Sequence, residues 1–352
     1  MPLTAQAIQF TAPGEIAFTT FDLPPCGEQE VLAETIYSFV SPGTELRVLA
    51  GAAESRGRFP LIPGYSWVGR IIELGSGVRG WRVGELVSGR NPRPVPGLTQ
   101  LWGGQASHHR CEVSGYDSLV KLPSGADPWD YITVEVSAIS WRGISAAFPS
   151  PGETAVVIGQ GLIGAFGAMW LLQHGARVIV VDLEESRLAR ARTWGATAAL
   201  HGRDADIREQ ILAHCPPGGA DIAVESSSTV AGAQLAAGVL RPTPYRALAS
   251  GYPVATLRSA AGVWPRLVLQ ATYTWQEPSG PSGVIGGEGV LVLRPGDRTV
   301  ADRLAVLDQI RDGHLPVADI VPAPTPVASA PDAYRQLRDH PESLSAVAFS
   351  WQ

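Results

Sequence analysis

The amino-acid sequence predicts an α/β protein in which a doubly wound parallel sheet follows a smaller, β-rich domain. One observation is a strand, glycine turn, helix and second strand that run from Glu153 to Asp182. A second is the alternation of strand and helix patterns that continues to about residue 251. A third is a series of short β-like runs between turns over residues 1–128. The 352 residues are enough for two domains with separate cores.

The glycine turn has the G-x-G-x-x-G spacing of dinucleotide-binding folds. Gly159 would form the tight turn, Gly161 would let backbone approach a pyrophosphate, and Gly164 would let the helix pack on the strand. Leu162 and Ile163 open the helix, whose free N–H groups and positive dipole end offer an anion site. The alternative is a glycine-rich turn between buried strands without a ligand. The complete set of strand, helix, second strand and acid favours dinucleotide binding.

The acid of this stretch is Asp182, which ends the second strand about 20 residues beyond the glycines. Its carboxylate would accept hydrogen bonds from the adenosine ribose hydroxyls and repel a 2′-phosphate, so the sequence favours NAD over NADP. Arg187 lies in the first turn of the next helix and could stack on adenine or favour a phosphate. Ser226 and Gly251 follow later strands, at the edge where doubly wound sheets bind ligands, and complete the predicted cofactor-binding set.

We expect residues 1–128 and 314–352 to form the β-rich domain and residues 129–313 to form the dinucleotide-binding domain. The β-like runs of the first domain lie at residues 7–10, 30–37, 68–74 and 85–87, between Pro and Gly turns typical of antiparallel strands. The second domain has predicted strands at residues 155–158, 177–182, 196–200, 221–225 and 246–251, edge strands at 266–272 and 289–293, and helices at 129–147, 162–175, 184–194, 205–214 and 229–239. Helices at 301–310 and 331–338 precede a final strand at 346–350, which is easiest to place back on the β-rich domain.

The composition excludes several functional classes. The net charge of −6 gives no electrostatic basis for binding nucleic acid or an anionic membrane. Cys26, Cys111 and Cys215 are widely spaced and form neither a disulfide framework nor a metal knuckle. The N-terminus has no signal-peptide pattern, and no apolar run is long enough to span a bilayer. We therefore expect a soluble, cytoplasmic protein with a small-molecule substrate and no nucleic-acid or membrane partner.

The domain order and one long segment resemble the medium-chain dehydrogenase/reductase superfamily, the relatives of alcohol dehydrogenase. Residues 60–75, Pro-Leu-Ile-Pro-Gly-Tyr-Ser-Trp-Val-Gly-Arg-Ile-Ile-Glu-Leu-Gly, are similar to the family's P-G-H-E-x-x-G-x-V-x-x-x-G stretch. Residues 103–104, 119–123, 151–159 and 221–225 are similar as well, so the resemblance covers essentially the whole chain. It implies a GroES-like catalytic domain, a Rossmann domain that binds a nicotinamide cofactor, and a homodimer.

The positions of the family's metal ligands depart from the pattern. The metal-dependent branch binds catalytic zinc through a Cys in a C-G-[ST]-D turn, the His-Glu pair of P-G-H-E, and a later acid or Cys. Here Pro42 stands in the matching turn, and Tyr65 and Ser66 replace the His-Glu pair. Only Glu135 falls at the later ligand position, and residues 88–104 contain no Cys for a structural zinc. Since a zinc site needs three protein ligands or more, we predict no metal.

Without zinc, side chains must manage the proton of a substrate alcohol. Tyr65 stands at a zinc-ligand position and is either a proton donor or acceptor, or an aromatic with a steric role. Thr44 matches the family's hydroxyl that relays this proton, or it is a turn hydroxyl bonded to its own backbone. Glu135 could orient Tyr65 or act as a base, or be a carboxylate satisfied by nearby donors. His108, like His109, could be an acid or base near neutral pH, or incidental.

Three tryptophans, Trp67, Trp102 and Trp141, map near the substrate site by family position. Indole faces suit sugar rings and flat aromatic substrates, although most tryptophans simply pack in a core. Arg142 is close to Glu135 in sequence and could pair with it or meet an anionic group of the substrate.

The leading hypothesis is a zinc-independent, NAD-dependent oxidoreductase that transfers a hydride between nicotinamide and a secondary alcohol or ketone, on a polyol, cyclitol or sugar-like metabolite. The turn formed by Tyr37, Ser38 and residues 41–45 is similar to a branch that includes bacteriochlorophyllide dehydrogenases, so a macrocyclic hydroxyethyl substrate is an alternative. A zinc-free enone or quinone reductase is another, although such relatives usually prefer NADPH, against which Asp182 argues. The third alternative is a non-catalytic dinucleotide-binding protein that lost turnover together with its zinc.

Overall fold

The computed structural model describes residues 3–52, 55, 57–242, 264–272, 289–340 and 346–352. Its contacts divide the chain into a β-rich unit, Met1–Ala138 with Thr299–Gln352, and an α/β unit, Ile139–Arg298. The first junction lies later than the predicted one at residues 128/129. The second lies earlier than the predicted one at residues 313/314. The reason is packing, because a short 3-10 helix, Pro128–Tyr131, contacts strands of the β-rich unit, and helix Val300–Arg311 contacts the same unit.

The first segment of the β-rich unit is largely antiparallel, as the short runs between turns predict. Its elements are β1 (Leu3–Ala12), β2 (Glu15–Leu23), β3 (Glu30–Val40), α1 (Pro42–Leu49), β4 (Trp67–Leu74), β5 (Leu86–Gly89), β6 (His108–Glu112) and β7 (Val120–Lys121). β1 pairs with β2, while β3, β4, β5 and β7 follow one another in the larger sheet and β6 pairs with the first half of β3. The predicted turn at residues 41–45 was wrong, because Pro42 begins a helix, a position that suits its fixed φ and missing N–H.

The α/β unit is the predicted parallel sheet with connecting helices. Its elements are α2 (Val134–Ala146, which begins in the β-rich unit), β8 (Thr154–Ile158), α3 (Leu162–Gln173), β9 (Arg177–Asp182), α4 (Glu185–Thr193), β10 (Ala198–His201), α5 (Ile207–His214), β11 (Ile222–Glu225), α6 (Val230–Gly238), β12 (Arg266–Leu269) and β13 (Leu291–Leu293). The strand order is β10-β9-β8-β11-β12-β13, all parallel. The order reverses between β8 and β11, where doubly wound sheets bind their ligands.

One predicted strand of this sheet lies outside the described residues, and another has a different position in the sheet from the one predicted. The strand expected at residues 246–251 lies outside the residues that the structure describes. β12 is not an edge strand as predicted, because it pairs with β11 on one side and with β13 on the other. Every residue of β8 and β11 is buried, which explains why these strands are apolar except for Thr154 and Glu225 at their ends.

The chain returns to the β-rich unit through α7 (Val300–Arg311), β14 (Thr325–Pro326), α8 (Ala330–Asp339) and β15 (Val347–Ser350). β15 pairs antiparallel with the second half of β3, which confirms the predicted return of the last strand to this unit. α8 buries Ala333, Tyr334 and Leu337, spaced three and four residues apart, against a core that includes Phe10 and Phe349. In the described ranges of the chain, no helix is both long and apolar enough to cross a bilayer.

Candidate functional site

The glycine turn after β8 lies where the strand order of the parallel sheet reverses. Gly159 has φ +89°, and a Cβ at this position would lie 2.8 Å from the amide nitrogen of Ser227. A Cβ on Gly164 would overlap the carbonyl oxygen of Gly159, so α3 can approach the turn only because Gly164 has no side chain. A Cβ on Gly161 would meet nothing within 4 Å, which means that open space faces the turn at this residue.

The side chains around the turn fit the pyrophosphate of a dinucleotide. Gly161 caps α3 without a side chain, so the amide groups of Leu162 and Ile163 in its first turn are not capped by their own N-cap residue. The hydroxyl of Ser226, just after β11, and the side-chain oxygen of Gln160 are buried and have no hydrogen-bond partner in the described part of the chain. A ligand phosphate would satisfy the amide groups and the Ser226 hydroxyl together.

Asp182 ends β9 with only 7% of its surface exposed. One carboxylate oxygen accepts the amide N–H of Gln160 at 2.5 Å, and the other accepts that of Glu184 at 2.9 Å. Arg187, on α4, places a guanidinium nitrogen 3.6 Å from Asp182 Oδ1. Arg187, which the sequence predicted to contact adenine or a phosphate, therefore lies beside Asp182. Gly251, the last residue of the predicted cofactor-binding set, lies outside the described residues.

Tyr65 is buried against the start of α1. Its hydroxyl donates a hydrogen bond of 2.7 Å to Ser41 Oγ, and its ring meets that of Trp102 edge-on with centroids 5.4 Å apart. Thr44 lies half-buried in the first turn of α1, and its amide N–H donates to the carbonyl oxygen of Ser41 at 3.1 Å. The structure thus brings Tyr65 and Thr44 to one residue, Ser41, whose part in the site the sequence did not indicate.

Glu45, one residue beyond Thr44, is fully buried below this cluster. Its carboxylate accepts hydrogen bonds from the Ser41 amide at 3.0 Å, from Gln105 Nε2 at 3.2 Å and from the Tyr334 hydroxyl at 2.6 Å. Burial raises the pKa of Glu45 to about 7, and the three hydrogen bonds oppose this rise. Glu45 therefore fixes the residue on which Tyr65 and Thr44 converge.

Glu135 pairs with a residue that the sequence did not suggest. Its Oε1 lies 3.1 Å from Nη1 of Arg303 on α7, and neither side chain is exposed to solvent. The same guanidinium group donates to the backbone carbonyls of Ser118 at 2.7 Å and Tyr116 at 3.3 Å. Of the readings open from the sequence, a carboxylate satisfied by nearby donors agrees with this pairing with Arg303.

The two histidines on β6 differ in environment. His108 is half-buried with Nδ1 2.9 Å from Ser107 Oγ, and burial lowers its pKa although Glu34 opposes this shift. His109 is fully buried with its ring 4.3 Å from that of Trp67. Burial and then the charge of His108 lower the pKa of His109 to about 3. His109 is therefore a neutral core residue, and His108 is neutral at pH 7.

Of the three tryptophans expected near the substrate, one lies beside Tyr65. Trp67 is completely buried in the core of the β-rich unit. Trp141 packs edge-on against Trp170 inside the α/β unit, with ring centroids 5.2 Å apart. Only Trp102 contacts the Tyr65 ring among these three.

The side chains at the family's metal positions do not fit a zinc site. Pro42 has no donor atom, the Tyr65 hydroxyl donates to Ser41, and the Glu135 carboxylate is paired with Arg303. Zinc sites use three or four Cys, His or carboxylate ligands. Over the residues that the structure describes, no group of three or more His, Cys, Asp or Glu side chains is arranged to hold a metal ion.

Two family models match the chain. The alcohol dehydrogenase GroES-like domain matches residues 27–126, and the zinc-binding dehydrogenase matches residues 163–244. Together they cover just over half of the chain, one in each unit. The chain belongs to the medium-chain dehydrogenase/reductase superfamily. The zinc-binding dehydrogenase match contains none of residues 42, 65 and 135, so its name carries no information on metal ligands here.

Curated relatives in the superfamily include several dehydrogenases. A sorbitol dehydrogenase from Halalkalibacterium halodurans is 28% identical over 200 residues, 52% of this chain and 58% of the relative. The chain therefore spans less than two thirds of that relative's length. A 2-dehydro-3-deoxy-L-galactonate 5-dehydrogenase from Pseudoalteromonas atlantica is 23% identical over 87% of each chain. The crystal structure of 2R,3R-butanediol dehydrogenase from Bacillus subtilis has the same fold, with a TM-score of 0.78 and 17% identity over 99% of this chain and 100% of the other.

Proposed function

We propose that the protein is a zinc-independent, NAD-dependent oxidoreductase that transfers a hydride between nicotinamide and a secondary alcohol or ketone of a polyol, cyclitol or sugar-like metabolite. The observation that carries this proposal is the hydrogen bond from the Tyr65 hydroxyl to Ser41 Oγ, because Tyr65 stands where the superfamily's metal branch has a zinc ligand. The names of the relatives, a sorbitol and a 2-dehydro-3-deoxy-L-galactonate dehydrogenase, support a polyhydroxylated substrate. A cytoplasmic location is also proposed, and a homodimer is proposed from the family resemblance alone.

The α/β unit supplies the residues that would hold the cofactor. The backbone at Gly161, the amide groups of Leu162 and Ile163 and the Ser226 hydroxyl would bind the pyrophosphate. Asp182 would accept hydrogen bonds from the ribose hydroxyls through lone pairs that its backbone donors leave available. Bound NAD supplies the hydride acceptor, and the protein supplies orientation and proton management.

The β-rich unit supplies the residues that would move the proton. The Tyr65 hydroxyl donates to Ser41 Oγ, so its own oxygen can accept the proton of a substrate alcohol. As the alcohol loses its hydride, its proton would pass to the Tyr65 oxygen while the Tyr65 proton passes to Ser41 Oγ and the Ser41 hydroxyl releases its own proton to water. Thr44, hydrogen-bonded through its backbone to Ser41, would place a second hydroxyl near the substrate oxygen. Glu45 holds the Ser41 amide and keeps this hydroxyl pair in position.

The test is turnover with a panel of alcohols. Sorbitol, myo-inositol, gluconate, an enone, a quinone and a hydroxyethyl macrocycle would each be offered with NAD or NADH and followed by nicotinamide absorbance, with and without a zinc chelator. We expect turnover of a polyhydroxylated alcohol that the chelator does not reduce. Loss of that turnover with the chelator and its return with zinc would contradict the zinc-independent mechanism. Tight NADH binding without turnover of any compound would favour the non-catalytic alternative.

A further inference from the structure

An open cavity of about 500 Å³ lies on the β-rich unit, within the size range of small-molecule sites. Its polar lining residues are Arg58, Asn91, Thr99 and Gln100, and the remainder of the wall is proline, leucine and Trp102. Of the described residues that line it, all except Arg58 lie in the loop 91–102, and Arg58 faces that loop from another segment.

The charge of this cavity is opposite to that of the whole protein. Among the described residues, Arg58 is the one charged residue of its lining, although the chain carries a net charge of −6. The side chain of Arg58 is exposed, and no carboxylate of the described residues lies within ion-pair distance of it. Asp117 is the carboxylate that Asn91 contacts, at 3.0 Å, and it is already paired with Arg90 at 3.0 Å. Arg58 is therefore a cation that a ligand anion can reach.

The amide of Gln100 adds a donor to the same wall. Its Oε1 accepts the backbone N–H of Val95 at 2.7 Å, which fixes the orientation of the side chain. The amide nitrogen of Gln100 is then the free end of that group. A guanidinium and an amide N–H together suit a carboxylate, and a guanidinium binds this group with two parallel hydrogen bonds.

Trp102 connects the cavity to the proposed catalytic residue. It lines the cavity, and its ring also meets the Tyr65 ring with centroids 5.4 Å apart. Its φ of +69° lies in the left-handed region, which is unfavourable for a bulky residue. The fold keeps a tryptophan here in spite of that strain. A ligand that fills the cavity would therefore lie against the residue that packs on Tyr65.

We infer that this cavity binds the carboxylate of a polyhydroxy acid substrate and that Arg58 determines the preference for the acid over the neutral polyol. The inference rests on the proposed function, because it assigns the substrate class of the same site. The carboxylate would pair with Arg58, and the hydroxylated carbon chain would run past Trp102 towards Tyr65. The occupant is thus an anionic relative of the polyols, of the sugar-acid kind.

The test is equilibrium binding, which does not require turnover. Sorbitol, gluconate and sorbitol 6-phosphate share a six-carbon hydroxylated chain and differ in the terminal group. Calorimetric titration at low salt should show gluconate binding at least about tenfold more tightly than sorbitol, since a charged hydrogen-bonded pair is worth more than the neutral contact. In Arg58→Gln that tenfold advantage should disappear while sorbitol binding stays unchanged, and Arg58→Lys should restore part of it.

Arg335→Gln is the matched control, because Arg335 is an exposed cation of the same unit that pairs only on its own helix with Asp332. It should leave the gluconate advantage intact. Equal affinity for gluconate and sorbitol, no measurable gluconate binding, or equal loss of both ligands in Arg58→Gln would overturn the inference. A tenfold preference for sorbitol 6-phosphate over gluconate would overturn the carboxylate assignment. If Arg58-dependent gluconate binding persists without nicotinamide reduction of any substrate, the proposed function fails and the cavity assignment does not.

Discussion

The carboxylate of Glu135 lies 3.1 Å from the guanidinium group of Arg303, and both side chains have no exposed surface. Glu135 is on α2 and Arg303 on α7, so this ion pair joins two residues of the β-rich unit that are 168 residues apart in sequence. The pair accounts for the charge of a carboxylate that metal-dependent relatives would use as a ligand.

Removing one member of the pair should destabilise the protein strongly. Arg303→Met leaves a buried carboxylate without its cation, and we expect the free energy of unfolding to fall by about 3–5 kcal/mol. The double variant Glu135→Leu with Arg303→Met removes both charges and should recover most of the loss. Urea unfolding measures both values. Arg311→Gln, on the exposed face of the same helix, should leave the urea midpoint nearly unchanged.

Cofactor preference should depend on Asp182. The wild type should bind NADH at least about tenfold more tightly than NADPH, because the 2′-phosphate of NADPH would lie beside the buried carboxylate of Asp182. Asp182→Ser removes that charge and the contact with Arg187, whose guanidinium nitrogen is 3.6 Å away, so the preference should shift towards NADPH. Fluorescence titration with each cofactor measures this ratio. Asp204→Asn, an exposed acid beyond β10, serves as control, and tighter NADPH binding by the wild type would refute the assignment.

The stability of the protein should depend on pH through two buried groups whose effects on stability oppose each other. The pKa of Glu45 is raised from 4.5 to about 7, so Glu45 contributes stability below pH 4.5 that is lost as pH rises to 7, roughly 3 kcal/mol in all. The pKa of His109 is lowered from 6.5 to about 3, so His109 contributes stability above pH 6.5 that is lost as pH falls to 3. Between pH 4.5 and 6.5 the two dependences cancel.

Single variants separate the two dependences. Glu45→Gln should remove the dependence that opposes that of His109, so the stability of this variant should fall as pH drops from 6.5 to 4.5, where that of the wild type is level. His109→Gln should show the converse, with stability falling as pH rises over that window. Chemical unfolding of each variant from pH 4 to 8, read as a difference from the wild type, measures this. Parallel pH curves for the three proteins would show that neither residue titrates as its burial predicts.

The hydroxyl of Tyr65 should affect turnover more than binding. Tyr65→Phe keeps the aromatic ring against Trp102 and removes the donor to Ser41, so we expect kcat to fall by about 10²–10⁴ with a smaller change in KM. Ser41→Ala should produce a similar fall. Tyr116→Phe removes a hydroxyl from an exposed tyrosine of the same unit and should leave kcat unchanged. An unchanged kcat in Tyr65→Phe would assign Tyr65 a steric role.

Local sequence patterns were sufficient for much of the fold. The glycine spacing at residues 159–164 encodes a turn whose φ value and close approach require glycine, and apolar runs encode strands such as β8 and β11. The final strand could be assigned to the β-rich unit from domain order. The turn expected at Pro42 is a helix because proline suits the first helical turn as well as a loop, and the local pattern does not distinguish the two.

The partners of the buried polar groups could not be predicted. Glu45 bonds to Gln105 and Tyr334, which are 60 and 289 residues away, and Ser38 accepts from the Trp351 indole at a separation of 313. Tertiary packing determines which of these polar groups meet, and such pairs leave no periodic pattern in the sequence. Arg303, which pairs with Glu135, is likewise in a helix whose pattern indicates only its length.

The pairing of β15 with β3 has a consequence for biosynthesis. The α/β unit is encoded by one continuous segment, whereas the β-rich unit consists of two segments on either side of it. Domains fold as their residues emerge from the ribosome. The α/β unit can therefore complete its core before β15 has been synthesised and paired with β3. The β-rich unit is thus the first to be synthesised in part and the last to be completed. Until β15 is synthesised, the edge of its sheet at β3 is the surface of the nascent chain that chaperones would need to protect.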